Sequence, residues 1–176
     1  MNKKRFLLFI PFLLMLAFSG CSNNAGKEKI SFAYGGVMVS IGDKMKEVQS
    51  KFPKNFFKTT TDVSENEFIY FLQPQDSPSS LVLVFSANTE ALIYISTDSN
   101  QTECPNDICV GDNVQKLYDI WGEEAISRLG DSPIYFIGLD KQGNISPSHD
   151  SEFYSFMYEA SAETGEITNV SLSLKR

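Results

Sequence analysis

One stretch occurs twice, and it limits what this chain can fold into more than any other feature. It reads Val39-Ser-Ile-Gly-Asp-Lys-Met-Lys-Glu-Val-Gln-Ser-Lys-Phe52 and returns as Ile108-Cys-Val-Gly-Asp-Asn-Val-Gln-Lys-Leu-Tyr-Asp-Ile-Trp121. After the shared Gly-Asp, large apolar residues recur at matching offsets: Ile41, Met45, Val48 and Phe52, then Val110, Val114, Leu117 and Trp121. Steps of four, three and four make one stripe on a helix of about 3.6 residues per turn. Gly42 and Gly111 let the chain turn sharply out of an extended segment. Asp43 and Asp112 are placed to cap, accepting from free amides of the first helical turn. Gln115, three residues after Asp112, fits a capping box that Lys46 denies to the first copy.

The order of elements after each copy is also similar, which predicts an internal duplication. Residues 53–66 are mostly polar, Phe56 and Phe57 being the large exceptions, and read as a loop or partial helix. Strand-like runs follow at 68–72, 81–85 and 92–95, rich in β-branched and aromatic residues. The second copy leads to runs at 134–139, 153–158 and 167–174. In the last of these Val170, Leu172 and Leu174 alternate with Asn169, Ser171 and Ser173, one face for a core and one for solvent. The expected fold is α+β: two tandem helix-plus-antiparallel-meander repeats, over residues 37–100 and 101–176.

The first residues read as an address. Lys3, Lys4 and Arg5 precede an apolar run from Phe6 to Phe18, followed by Ser19, Gly20 and Cys21. That is the layout of a secretory signal over residues 1–20. The run is too short for a bilayer core, which needs about 20 apolar residues, and it contains Pro11. Phe18-Ser-Gly-Cys21 resembles the lipobox of bacterial lipoproteins. By that resemblance Cys21 is the first mature residue and carries the acyl chains, palmitate among them, that hold a soluble domain to a membrane. Ser22, not Asp, follows the cysteine, which implies the outer membrane with the domain in the periplasm. Residues 21–36 are then the lipidated cysteine and a flexible tether, whose early part is small and polar.

Removing residues 1–20 takes away three basic residues and no acidic ones, so the formal charge falls from −7 to −10. Such acidity disfavours nucleic acid and leaves basic proteins or peptides as partners. An exported chain favours disulfides, and Cys104 and Cys109 flank a turn-forming Pro-Asn-Asp-Ile segment, so a disulfide between them is expected. A redox-active pair would want Cys-x-x-Cys spacing. A metal site would need more ligands than a single histidine offers.

No catalytic constellation stands out. His149 is the one histidine, in Ser148-His149-Asp150, and adjacency in sequence says nothing about a triad assembled in space. No nucleophile elbow, zinc-binding helix or phosphate-cradling glycine loop is present, and Asp140 to Asn144 is too short for a calcium loop. The expectation is a non-enzyme without cofactor. Tyr70, Tyr94, Tyr135, Tyr154 and Tyr158 all fall in strand runs. They suit a partner-binding face, and equally a core or half-buried sheet.

The repeated Ile-x-Val/Ile-Gly-Asp motif, with a meander after it in a lipoprotein, resembles two groups. One is the SmpA/OmlA-like outer-membrane-assembly lipoproteins; the other is the tandem-repeat β-lactamase inhibitory proteins. The resemblance spans roughly Val37 to Leu174 and implies a β-lactamase-inhibitor-like fold with non-catalytic character. No binding loop of either group matches residue by residue. The function expected is a protein-binding module in envelope assembly or maintenance. An inhibitor or immunity-type protein, and a binder of small ligands or peptidoglycan fragments, are the alternatives.

Overall fold

The computed structural model describes residues 30–64, 67–77, 80–146 and 153–175. Two short strands open it, β1 (Ser31–Tyr34) and β2 (Val37–Ser40), joined by a tight Gly35-Gly36 turn with both glycines at positive φ. Helix α1 (Met45–Lys51) follows. Then come β3 (Phe57–Ser64), β4 (Glu67–Pro74), β5 (Val82–Ser86) and β6 (Leu92–Thr97). The second half has β7 (Thr102–Glu103), α2 (Gln115–Trp121), β8 (Ser127–Arg128), β9 (Ile134–Leu139), β10 (Tyr154–Ala160) and β11 (Ile167–Leu174).

Eight of the strands form one antiparallel sheet in the order β3-β4-β5-β6-β11-β10-β9-β8, and β2-β1-β7 form a second, three-stranded sheet. The α+β arrangement of two helix-plus-meander repeats is therefore overturned: this is a mainly antiparallel β protein. Each helix has only seven residues, about two turns, and strands carry the architecture. The two halves do not keep separate sheets. β6 pairs with β11 through Thr97 with Val170 and Ile95 with Leu172, and β7 leaves its own half to pair with β1.

The six apolar strand runs lie at β4, β5, β6, β9, β10 and β11. Two regions differ from the sequence reading. Residues 57–64, expected as loop or partial helix, are strand β3; its threonines suit a pleated edge, where polar side chains can point to water. The stretch assigned to a tether up to residue 36 contains β1, with Phe32 fully buried.

A single core lies on one face of the large sheet. Cross-strand rows such as Leu72-Leu83-Ile95-Leu172-Phe156-Ile137 point into it. The helices and the small sheet close it with Val48, Leu117, Phe32 and Val39. The end of α1 is tied to the start of β3 by aromatic packing. Phe52 stacks on Phe56 at 4.9 Å and meets Phe57 edge-on at 4.8 Å.

Candidate functional site

The two Gly-Asp turns share one geometry. Gly42 and Gly111 sit at φ +90° and +96°, where an L side chain is strained, and each N–H donates at 2.8 Å to a strand carbonyl, of Leu92 and of Ile167. The aspartates do not cap the helices. Asp43 Oδ2 accepts from the Ser40 N–H at 3.1 Å and from Lys51 Nζ at 3.2 Å. Asp112 Oδ2 accepts from the Cys109 N–H at 2.7 Å and from Lys116 Nζ at 3.0 Å. Both carboxylates reach backwards, Asp43 to the end of β2 and Asp112 to the irregular segment at Cys109, because the positive-φ glycine folds the preceding residues over them. At α2 it is Asn113 Oδ1 that accepts from the Gln115 N–H, at 2.9 Å, while the Gln115 side chain bonds Asp119 instead of forming a capping box. Burial pushes the Asp112 carboxyl pKa up, but the Cys109 N–H and the Lys116 ammonium outweigh it and hold it below the usual carboxylate range.

Cys104 and Cys109 are both free thiols, Cys104 buried and Cys109 half-buried. They are neighbours, since the Cys104 N–H donates to Cys109 Sγ at 3.3 Å. Between them Asn106 and Asp107 both adopt positive φ, which makes the tight return. Burial first, and then the adjacent Cys109, push the Cys104 thiol pKa well up, so Cys104 is held protonated.

The structure separates the five tyrosines. Tyr158 is fully buried and Tyr135 nearly so, while Tyr70 and Tyr154 pack against the core as half-buried residues. The Tyr158 hydroxyl and the Trp121 indole N–H are buried with no partner in hydrogen-bond geometry. Burial raises the Tyr158 pKa strongly, and the nearby indole offsets this only in part. Tyr94 alone of the five is on the opposite face of the sheet, level with Val84 and Ser173.

That opposite face is the feature sequence reasoning did not assemble. Alternation along the paired strands brings Phe71, Val84 and Tyr94 together on its first half, and Phe136 and Met157 on its second. Val84 is buried there, while Phe71, Tyr94, Phe136 and Met157 are half-buried and lie outside the hydrophobic core of the described residues. Between the two apolar patches runs a strip of serines, with Ser96 opposite Ser171 and Ser173 opposite Ser155; Ser96 and Ser171 are buried between their larger neighbours, so the face of β11 expected to meet solvent does so only in part. Ser96 donates to Asn169 Oδ1 at 3.1 Å within that strip. The period-two signal was visible in β11, but which strands would sit beside it was not.

Cys21 and the Ser148-His149-Asp150 segment lie outside the described residues. Among those described, no cluster of three or more His, Cys, Asp or Glu side chains could hold a metal ion. A cavity of about 450 Å³ lies between Ile30, Met38, Pro105 and Leu139, and one of about 430 Å³ lies beside the two thiols.

No family model and no curated protein matches the chain. Among solved structures it is similar to an extracellular protein containing a SCP domain from Bacillus anthracis str. Ames. The TM-score is 0.48 and the identity 11%, over 77% of this chain and 44% of that one. The chain thus spans less than half the length of that protein, and a likeness at this level carries neither fold nor activity across.

Proposed function

We propose that this chain is a non-catalytic, lipid-anchored binding module of the cell envelope. Acyl chains on Cys21 hold it at the outer membrane, and the domain faces the periplasm. Its role is to hold a protein partner, in envelope assembly or maintenance, against the open face of the eight-stranded sheet. The observation that carries this reading is the set of half-buried apolar side chains on that face, Phe71, Tyr94, Phe136 and Met157, outside the core. Apolar and aromatic side chains gathered on one open face favour burial by a partner over prolonged hydration. The acidic balance of the chain selects a partner with a basic rim around its apolar contact. In this exported setting Cys104 and Cys109 would close into a disulfide that fixes the approach to the second Gly-Asp turn.

The test is cross-linking capture of the lipidated protein from native envelope, compared with Tyr94→Ala and Phe136→Ser. Loss of one captured envelope protein in both variants, with folding intact, supports the reading. Capture that is indifferent to both variants rejects the sheet face as the contact. A single stoichiometric hydrolase in place of assembly machinery would transfer the reading to an inhibitor.

A further inference from the structure

The two ends of the large sheet are unlike each other. The β8 end is two residues long, and the Arg128 guanidinium lies over the Tyr135 ring at 5.3 Å. The β3 end is eight residues long and has no strand beyond it among the described residues. Lys58, Thr59, Thr60, Thr61 and Asp62 are all exposed there. The start of the strand is held by the packing of Phe56 and Phe57 on Phe52, so this edge is anchored to the core.

The register shows which groups the edge presents. The Gln75 N–H donates to the Phe56 carbonyl at 3.0 Å, one step before the pairing of Phe57 with Pro74. Alternation along an antiparallel ladder then turns the amides of Lys58, Thr60 and Asp62 towards β4, and those of Phe57, Thr59 and Thr61 outwards. Pro74, which has no N–H, faces Phe57 where the ladder asks for none.

We infer that β3 is a self-pairing edge, joining antiparallel to β3 of a second copy about a two-fold axis through Thr60. Only registers that bring outward-facing residues together can form hydrogen bonds. An axis at Thr60 does so, setting Thr59 opposite the partner's Thr61 and Thr61 opposite the partner's Thr59. The same register sets Lys58 opposite the partner's Asp62, and by symmetry does so twice. Those are non-hydrogen-bonded pairs, in which facing side chains come closest. Axes at Thr59 or Thr61 keep the parity but place a charge against Thr60. Lysine on a sheet edge ordinarily blocks such pairing. Here Asp62, on the same face of the same strand, answers it. The product is a closed isologous dimer in which two eight-stranded sheets continue into one. Two open faces then lie side by side.

The test is native mass spectrometry of the full-length lipidated chain released from detergent, wild type against Lys58→Glu and Asp62→Lys. Each single change sets like charges opposite one another at both positions. Dimer affinity should fall by about tenfold or more. An equimolar mixture of the two variants restores both opposite-charge pairs and should recover a heterodimer near wild-type strength. Thr60→Cys should give a covalent dimer on mild oxidation, and Thr61→Cys should not, since only position 60 faces itself. A monomeric wild-type chain, a dimer indifferent to Lys58→Glu, or a mixture that stays monomeric overturns the inference.

Discussion

Asp43 and Asp112 make the same two contacts, each accepting from the backbone N–H three residues before it and from a lysine in or at the following helix. Their burial differs. The Asp43 side chain is 10% exposed and that of Asp112 is 29% exposed. Removing a buried acceptor strands its donor, so Asp43→Ala should cost about 2 kcal/mol and Asp112→Ala about 1 kcal/mol. Urea denaturation of the two variants measures the difference, and a larger cost at Asp112 would contradict this account.

The same turn predicts an acid response. The folded-state pKa of Asp112 lies below its ordinary value, because the Cys109 N–H and Lys116 outweigh the opposing effect of burial. A depressed carboxyl pKa contributes stability that is present above the unfolded value of about 4 and is lost as pH falls through the folded one. Unfolding free energy should therefore decline below about pH 4, and Asp112→Asn should flatten that decline. An unchanged pH profile in Asp112→Asn would remove Asp112 from the explanation.

Gly111 has open space where a Cβ would stand, and its φ is +96°. The cost of Gly111→Ala is thus conformational and not steric, about 1–2 kcal/mol. Chemical denaturation should place Gly111→Ala and Gly42→Ala close together, since Gly42 has φ +90° and equally open space.

Tyr158 carries its hydroxyl into the core without a hydrogen-bond partner. Tyr158→Phe removes a desolvated polar group and keeps the ring, so it should be neutral or stabilising by up to about 1 kcal/mol. Tyr158→Ala leaves a cavity and should cost about 3–5 kcal/mol. Thermal melts of both variants check this, and a marked loss in Tyr158→Phe would show that the hydroxyl has a bound partner.

Oxidation offers a further check. Peptide mapping without reductant should recover Cys104 and Cys109 as one disulfide-linked fragment from protein isolated out of the envelope. The loop they close is short, so the bond should add only about 2 kcal/mol to stability. Protein that keeps both thiols titratable after export would exclude the disulfide.

The sequence by itself determined what depends on a few neighbouring residues. The turns at Gly42 and Gly111 need φ values that only glycine adopts freely. The two apolar stripes mark the short helices only in part, since Met45 and Val48, and Leu117 and Trp121, fall in them while Ile41, Phe52, Val110 and Val114 do not; the β-branched and aromatic runs give six of the strands. Even there its reach was local: Asp43 and Asp112 read as helix caps, while the amides they accept from lie three residues back, where the positive-φ glycine folds the chain over them. Only the tertiary structure decided which strands meet. That β6 joins β11, that β7 crosses to β1, and that the polar Lys58–Asp62 segment becomes a sheet edge are non-local pairings. They follow from burying the most apolar area while pairing backbone groups throughout the chain, and no single window of sequence records that optimum. The tyrosines show the consequence. Five look alike in their strands, yet the pairing sends Tyr158 and Tyr135 inward and leaves Tyr94 on the open face.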